Sequence, residues 1–269
     1  MKPARCSRWG RLLAPLLAAL PAAGAPAESS PICTDRPAKA NAICTVPAGK
    51  LQFEASVWGW SLTRSGDTRT ELATAASSFL KLGLSRRSDF QIGFTPYVRV
   101  AVKQNGKREV LAGSGDMLLR YKHRLTHEGA RFEAGVIPFV KLPTAAKGLG
   151  NNELEGGLAV PISFALPGSA TMTLGPEMDL LADADGDGHH LALVNLVNVS
   201  APVAPKLTLA TEIWTNFNFE PAETVRQASA DAALAWAVSS RVQLDAGANF
   251  GLTRATPDVE LYLGASVRF

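Results

Sequence analysis

The chain has 269 residues, of which 46% are hydrophobic and 19% are charged. This balance excludes a disordered chain, and the length fits one domain of ordinary or large size better than a small disulfide-held domain. No uninterrupted apolar run reaches the roughly 18 residues that a membrane-spanning helix needs, so spanning by helices is excluded and spanning by strands is not.

Residues 1–27 have the pattern of a secretory signal peptide. A basic start without acids precedes the short apolar run 12–20, and Ala25-Pro26-Ala27 offers a small-residue cleavage site, so we place cleavage after Ala27. The run is too short for an anchor helix. The signal carries four of the 27 basic residues and none of the 24 acidic ones, so the mature chain holds 23 basic and 24 acidic residues. The formal charge of +3 therefore belongs to the signal, and no nucleic-acid partner is expected.

Two cysteines, Cys33 and Cys44, remain in the mature chain. An even pair in an exported protein predicts one disulfide. It would close a loop of about a dozen residues and contribute on the order of 3 kcal/mol through chain entropy. A metal site is set aside because residues 33–44 contain no histidine.

After residue 49 the chain alternates between apolar and polar residues, as strands with two different faces do. In the last segment Leu261 and Leu263 fall on one face, and Glu260 and Tyr262 fall on the other. Twelve such segments are predicted, at 50–62, 71–85, 89–101, 114–125, 131–142, 153–166, 169–181, 190–202, 205–217, 227–239, 241–253 and 258–269.

The connections between these segments alternate between short and long, with 63–70 and 102–113 among the long ones. This predicts an all-β fold, a 12-stranded antiparallel up-and-down transmembrane β-barrel over residues 50–269, with both termini on the side of the short turns. A soluble β-sandwich or barrel would share the alternation. Strand lengths near those of tilted spanning strands, glycines and opposite charges on the polar face, and the terminal Phe269 favour the bacterial outer membrane.

Four motifs carry a resemblance to a known family: CTDRP at 33–37, CTVPAG at 44–49, DGDGH at 185–189 and GASVRF at 264–269. They resemble the outer-membrane β-barrel family labelled as transporters of the meta-pathway of phenol degradation. The resemblance covers essentially the whole mature chain. It implies a transport or channel role at the outer membrane, and it brings no catalytic residues with it.

If apolar side chains face lipid, the opposite face of each strand lines the lumen. The charged positions predicted there are Arg99, Arg120, Lys122, Lys141, Glu153, Glu155, Glu177, Asp179, Glu212, Asp231, Asp245 and Glu260, and Trp58, Trp60 and Trp214 share this face. Basic and acidic residues would form separate arcs whose transverse field orients a permeating solute. A barrel closed by internal salt bridges would use the same residues, and twelve strands lie between the filled and the open sizes, so both alternatives stand.

The run Asp183, Asp185 and Asp187 matches the first half of a calcium loop. The position where a calcium loop has its bidentate glutamate is occupied by Val194, so a polar loop tip is the alternative interpretation. Weak Ca²⁺ binding in this loop is the one cofactor considered. No enzyme is expected, because the four histidines accompany neither G-x-S-x-G nor H-E-x-x-H.

The sequence thus predicts an outer-membrane channel for passive uptake of small, hydrophobic or aromatic molecules. The alternative is a side-chain-filled barrel with a structural or surface-binding role through its loops. Residues 28–49 would lie at the periplasmic end and plug, gate or tether there. The expected partners are outer-membrane lipid, small solutes and the barrel-assembly machinery, which would recognise the last strand ending at Phe269.

Overall fold

The computed structural model describes residues 31–269, which form one compact unit. The predicted signal peptide lies outside the described residues. No helix within 31–269 is long and apolar enough to cross a membrane. In the described part of the chain, regular structure consists of a 3-10 turn at Pro167–Ser169 and these strands: β1 Leu51–Ser65, β2 Thr68–Gly83, β3 Ser88–Phe94, β4 Tyr97–Gln104, β5 Lys107–Gly113, β6 Met117–Arg124, β7 Phe132–Leu142, β8 Glu155–Ala159, β9 Ile162–Ala165, β10 Thr171–Leu174, β11 Glu177–Ala182, β12 His189–Ala204, β13 Leu207–Asn218, β14 Val225–Ala237, β15 Val242–Gly251 and β16 Val259–Arg268.

These segments form one antiparallel sheet that closes on itself, because β1 pairs with both β2 and β16. Four barrel strands are each interrupted once, so that β3 and β4 together make one strand, as do β5 and β6, β8 and β9, and β10 and β11. The pairing shows this directly, since β2 pairs with β3 along one part of its length and with β4 along another. The barrel therefore has twelve strands, which confirms the predicted fold class.

The interruptions lie on one side of the barrel and three of them contain proline. They fall at Thr95-Pro96, 114–116, Val160-Pro161 and Gly175-Pro176. Proline cannot donate a ladder hydrogen bond, so regular pairing breaks at such positions. The alternation of side chains between the two faces can shift at each interruption, and this affects which residues reach the lumen.

Burial in the barrel is inverted relative to a soluble protein. The inward face is polar and buried, and includes Gln52, Glu54, Lys81, Asp89, Gln91, Lys122, Asn198, Glu212, Asp231, Asp245, Asn249 and Ser266. The outward face is apolar and exposed, and includes Leu80, Ile92, Phe94, Leu191, Val197, Ile213, Leu234, Phe250, Leu261 and Leu263. Tyr121, Phe217 and Trp236 are exposed as well. An apolar outer band around a polar interior is the arrangement of an outer-membrane barrel and excludes the soluble alternative.

The predicted connection lengths are wrong at two places. The long loops expected at 63–70 and 102–113 are continuous hairpins instead, because the strands extend to tight turns at Gly66-Asp67 and Asn105-Gly106. Asn105 and Gly106 have φ values of 50° and 77°, as the two-residue turns favoured in hairpins require. The strict alternation of short and long connections is therefore absent.

Both ends of the barrel chain lie together. β1 begins and β16 ends at the same end of the barrel, which we call the terminal end, and outer-membrane barrels direct this end to the periplasm. The opposite end, called the outer end, carries the connections 143–154, 183–188, 219–224 and 252–258.

Candidate functional site

Residues 31–49, which we call the plug, lie inside the terminal end of the barrel without regular secondary structure. The predicted Cys33–Cys44 disulfide is present and closes most of the plug into a loop. Backbone contacts join the plug to opposite parts of the wall: the Ile32 N–H donates to the Ser240 carbonyl at 2.8 Å, and the Val46 N–H donates to the Asp89 carboxylate at 2.9 Å.

Three cations on the inner wall converge on one carboxylate of the plug. They are Lys81 from β2 and Arg120 and Lys122 from β6, which we call the basic arc. The ammonium groups of Lys81 and Lys122 each lie 2.5 Å from an Asp35 carboxylate oxygen, and an Arg120 nitrogen lies 3.9 Å from it. Lys81 also pairs with Glu54 at 2.6 Å. Because both lysines are almost wholly buried, these pairs are little screened by solvent.

The basic arc keeps Asp35 ionised although the carboxyl group is buried. Burial favours the neutral acid and by itself raises its pKa. The opposing charges of Lys122, Lys81 and Arg120 outweigh this effect, together with the hydrogen bond from Lys122, and lower the pKa of Asp35 well below its ordinary value. The plug therefore presents a permanent negative charge to this side of the lumen at neutral pH.

The opposite wall binds the plug with reversed charges. Glu212 on β13, Asp231 on β14 and Asp245 on β15 form what we call the acidic arc. The Arg36 guanidinium donates two hydrogen bonds to Asp245, at 2.6 and 3.1 Å. The Lys39 ammonium lies 2.5 Å from Asp231. The Glu212 carboxylate accepts the backbone N–H of Lys39 at 3.2 Å and that of the next residue at 2.9 Å.

Two aromatic rings of the lumen lie beside the plug cations. The Arg36 guanidinium carbon is 5.7 Å from the centre of the Tyr262 ring, and the Lys39 nitrogen is 5.1 Å from the centre of the Trp214 ring. Both distances permit cation–π attraction. Each cation is thus held between a carboxylate and an aromatic face, which fixes the plug across the lumen.

Two cavities lie on the outer side of the plug. One, of about 480 Å³, is bounded by Arg36 and Lys39 and by wall residues that include Leu72 and Tyr262. The other, of about 350 Å³, shares Lys39 and is bounded by Trp214 and further residues of β11 to β13. These volumes are in the range of small-molecule pockets. The plug forms the floor of both cavities and separates them from the terminal end.

Most of the charged residues predicted for the lumen are found there. Ten of the twelve lie on the inward face and contact the plug, a cavity or one another: Arg120, Lys122, Lys141, Glu155, Glu177, Asp179, Glu212, Asp231, Asp245 and Glu260. Within this set Lys141 and Glu155 form an ion pair at 2.8 Å near the outer end. The separation into basic and acidic arcs is also present.

Four residues predicted on the lumen face lie elsewhere. The interruption at Thr95-Pro96 shifts the alternation of side chains, so that Val98 pairs with the cavity residue Thr74 and its neighbour Arg99 is on the outer face. Glu153 belongs to the connection before β8 and not to a strand. A β-bulge in β1 turns Trp58 outward, where it is 41% exposed. Trp60 follows on the same face, opposite the outward-facing Leu261.

The acidic loop does not bring its three aspartates together. The Asp185 carboxylate accepts the backbone N–H of Asp187 at 3.0 Å, whereas Asp183 turns towards His190 and Glu220. Calcium binding by the three aspartates stays an untested prediction.

The sequence did not single out the charged residues of the plug as functional. Asp35, Arg36 and Lys39 carry opposite charges close together in the short disulfide loop, and this clustering was the available signal. Lys81 and Glu54 were also missed, although both fall on the polar face of their strands.

The barrel is similar to solved outer-membrane proteins. It superposes on the COG4313 outer membrane channel from Pseudomonas putida F1 with a TM-score of 0.70 and 15% identity, covering 84% of this chain and 98% of that one. The NanC porin superposes with a TM-score of 0.52 and 10% identity, covering 81% of this chain and 98% of that one. The translocator domain of the autotransporter NalP from Neisseria meningitidis superposes with a TM-score of 0.51 and 12% identity, covering 83% of this chain and 90% of that one. At these identities the likeness shows the fold.

A search of curated protein sequences gives no match. A family model does match, over residues 34–269, which include nearly all of the plug and the whole barrel. The chain therefore belongs to the outer-membrane barrel family described as "Putative MetA-pathway of phenol degradation".

Proposed function

We propose that this protein is an outer-membrane channel for passive uptake of small, hydrophobic or aromatic molecules, and that its plug gates the lumen. The observation that supports this most is the double attachment of the plug. One short segment carries charges that match both arcs of the wall, with Asp35 on one side and Arg36 and Lys39 on the other.

Attachment by ion pairs is suited to a gate, because each plug charge has an oppositely charged partner on the wall and the two can separate without loss of folded structure. A lumen filled for stability alone is served equally well by apolar packing, since buried ion pairs give little net stabilisation over apolar substitutes. Here the plug has no strand pairing with the wall and is held largely by side-chain contacts. The cavities beyond the plug, with Tyr262 and Trp214 in their walls, supply space and aromatic surface for a small solute.

Single-channel conductance of the refolded mature chain tests the gating. The triple variant Asp35→Lys, Arg36→Glu, Lys39→Glu places like charges opposite both arcs and should expel the plug. We expect rare, small openings in the wild type and long, larger openings in the variant. Asp67→Asn, at the exposed β1–β2 turn, is the matched control and should behave as the wild type. A folded variant barrel without current would contradict the channel and favour the filled barrel.

The solute class is tested with the triple variant by current blockade. Benzoate and acetate carry the same carboxylate and differ in the ring. We expect benzoate to interrupt the current and acetate to leave it unchanged, and Trp214→Ala to shorten the benzoate events. Equal effects of the two anions would contradict an aromatic preference. We assign no catalytic step to this chain, as the sequence leads us to expect.

We propose further that β16 is the segment which the barrel-assembly machinery recognises. It alternates throughout, and Phe269 follows it on the outer face with 65% of its surface exposed. Removal of Phe269 should reduce the amount of folded barrel in the outer membrane of cells, measured as the heat-modifiable band. Phe269→Tyr, which keeps the ring, should assemble normally. Unchanged assembly of the truncated chain would contradict this role.

A further inference from the structure

A second cluster of titratable side chains lies at the outer end, far from the plug. Asp183 in the connection 183–188, His190 at the start of β12 and Glu220 in the connection 219–224 converge there. His190 Nδ1 lies 2.7 Å from an Asp183 oxygen and 3.4 Å from a Glu220 oxygen. The three potential ligand atoms all lie within 4.8 Å of one another.

Within residues 31–269, no lysine or arginine balances the carboxylates of this cluster. Among residues 31–269, the ion-pair partner of both Asp183 and Glu220 is the same imidazole nitrogen, and no lysine or arginine lies within 4 Å of either carboxylate. A single N–H can donate well to one of the two acceptors. Two partly buried carboxylates that face each other are therefore undercompensated, which is unfavourable unless a cation joins them.

The histidine is the most buried member of the cluster. His190 is 8% exposed, and its Nε2 atom is buried without a hydrogen-bond partner in the described part of the chain. Its Nδ1 atom is the one that faces both carboxylates. A divalent cation can accept a lone pair from Nδ1 and one from each carboxylate, and so join two carboxylates that a single N–H cannot serve together.

We propose that Asp183, His190 and Glu220 form a binding site for a divalent transition-metal cation such as Zn²⁺. Imidazole together with carboxylate suits zinc and its neighbours, whereas calcium prefers oxygen ligands alone. Three atoms each about 2.1 Å from one tetrahedral zinc ion lie about 3.4 Å apart. The distance from Nδ1 to Glu220 already has this value, and atoms that are now up to 4.8 Å apart need to approach by at most about 1.4 Å. Water completes the coordination at this end of the barrel.

The site would connect two loops that border the lumen. Asp183 and Glu220 belong to different connections, which already touch through the Ala184 N–H and the Glu220 carboxylate at 3.3 Å. His190 lies on the inward face of β12, two positions before Ala192, which is wholly buried. Binding of the cation would therefore hold the two loops together at the outer mouth.

Co²⁺ is the probe of choice because its visible absorption reports nitrogen and oxygen coordination, and Zn²⁺ should displace it. The folded mature chain in detergent should show the Co²⁺ bands and lose them on addition of Zn²⁺. His190→Gln should weaken Co²⁺ binding at least about tenfold, since loss of even an outer-shell partner costs 10- to 100-fold. His189→Gln is the matched control, because this neighbouring histidine faces the opposite way and contacts the Leu154 carbonyl.

Folding of each variant is checked by heat-modifiable migration, and Glu220→Gln replaces His190→Gln if the latter does not refold. Co²⁺ bands in the wild type that survive His189→Gln and vanish in either ligand variant would support the site. Absence of the bands in the folded wild type, their persistence in both ligand variants, or equal loss in His189→Gln would overturn it.

Discussion

The basic and acidic arcs bind the same plug in different ways. On the basic side, Lys81, Arg120 and Lys122 share the single carboxylate of Asp35. On the acidic side, the three carboxylates have separate partners, namely Arg36, Lys39 and backbone N–H groups. The ion pairs of the basic arc with the plug are therefore concentrated on one residue, and those of the acidic arc are distributed. Arg120 and Lys122 add hydrogen bonds to two neutral groups, the Asn41 side chain and the Ala42 carbonyl.

This difference has consequences for gating. Loss of Asp35 affects every cation of the basic arc at once, whereas loss of one cation on the acidic side leaves the other contacts in place. The concentrated arc should respond to a single substitution and the distributed arc should not. The plug would then be released first from the basic side while the acidic side still holds Arg36 and Lys39.

The largest effect of a conservative substitution is expected for Asp35→Asn. It removes the shared carboxylate of three cations, two of them almost wholly buried, and of these Lys81 keeps Glu54 as a partner. Removal of one partner from a buried pair costs about 3–5 kcal/mol. The open probability in single-channel recordings should rise at least about 100-fold, since each 1.4 kcal/mol is tenfold. The control is Asp185→Asn, which removes a carboxylate at the tip of an outer loop. Equal open probabilities for Asp35→Asn and the wild type would show that the basic arc does not hold the plug.

The disulfide should have the next largest effect. Replacing Cys33 and Cys44 by serine leaves the ion pairs of both arcs intact but gives the released plug more conformations. The chain-entropy model gives on the order of 3 kcal/mol for a loop of this size as an upper value. Open probability should rise, and dithiothreitol should produce the same rise in the wild type but none in the serine variant. A wild-type channel that ignores the reductant would exclude a role for the disulfide in closure.

The features that could be predicted from the sequence are those set by residues close together in the chain. The strands follow from local alternation, so all twelve were predicted, and so were Lys122 and Glu212 as lumen residues. Arg99 and Trp58 were misplaced because an interruption and a bulge shift the alternation by one residue. Pro96 was an available signal for the interruption, whereas the bulge before Trp58 leaves none. The docking of Asp35 and Arg36 joins residues far apart in sequence, such as Arg36 and Asp245, which local patterns do not report.

Single substitutions on the acidic side should have smaller effects. Arg36→Gln removes a bidentate pair with Asp245 but leaves Lys39 and the backbone bonds to Glu212 in place. A charge-assisted hydrogen bond contributes about 1.5–3 kcal/mol, so the rise in open probability should be about 10- to 100-fold and below that of Asp35→Asn. Lys39→Gln should behave similarly, and the double variant should approach Asp35→Asn. A single acidic-side variant that opens as fully as Asp35→Asn would refute the distinction between the arcs.

The smallest effect is expected from acid, and its sign follows from Asp35. Its pKa is lowered in the docked plug by the basic arc and returns towards the ordinary 3.8 when the plug is released. The released state therefore binds more protons below about pH 4, and docking weakens as pH falls, by at most about 1.4 kcal/mol per pH unit for one carboxyl group. Near pH 3 the wild type should open several-fold more often than at pH 5. Asp35→Asn, which has no carboxyl group at this position, reports the contribution of all other acids in the same recordings. If it shows the same acid response as the wild type, the response belongs to acids other than Asp35, and the basic arc is not the one that acid releases.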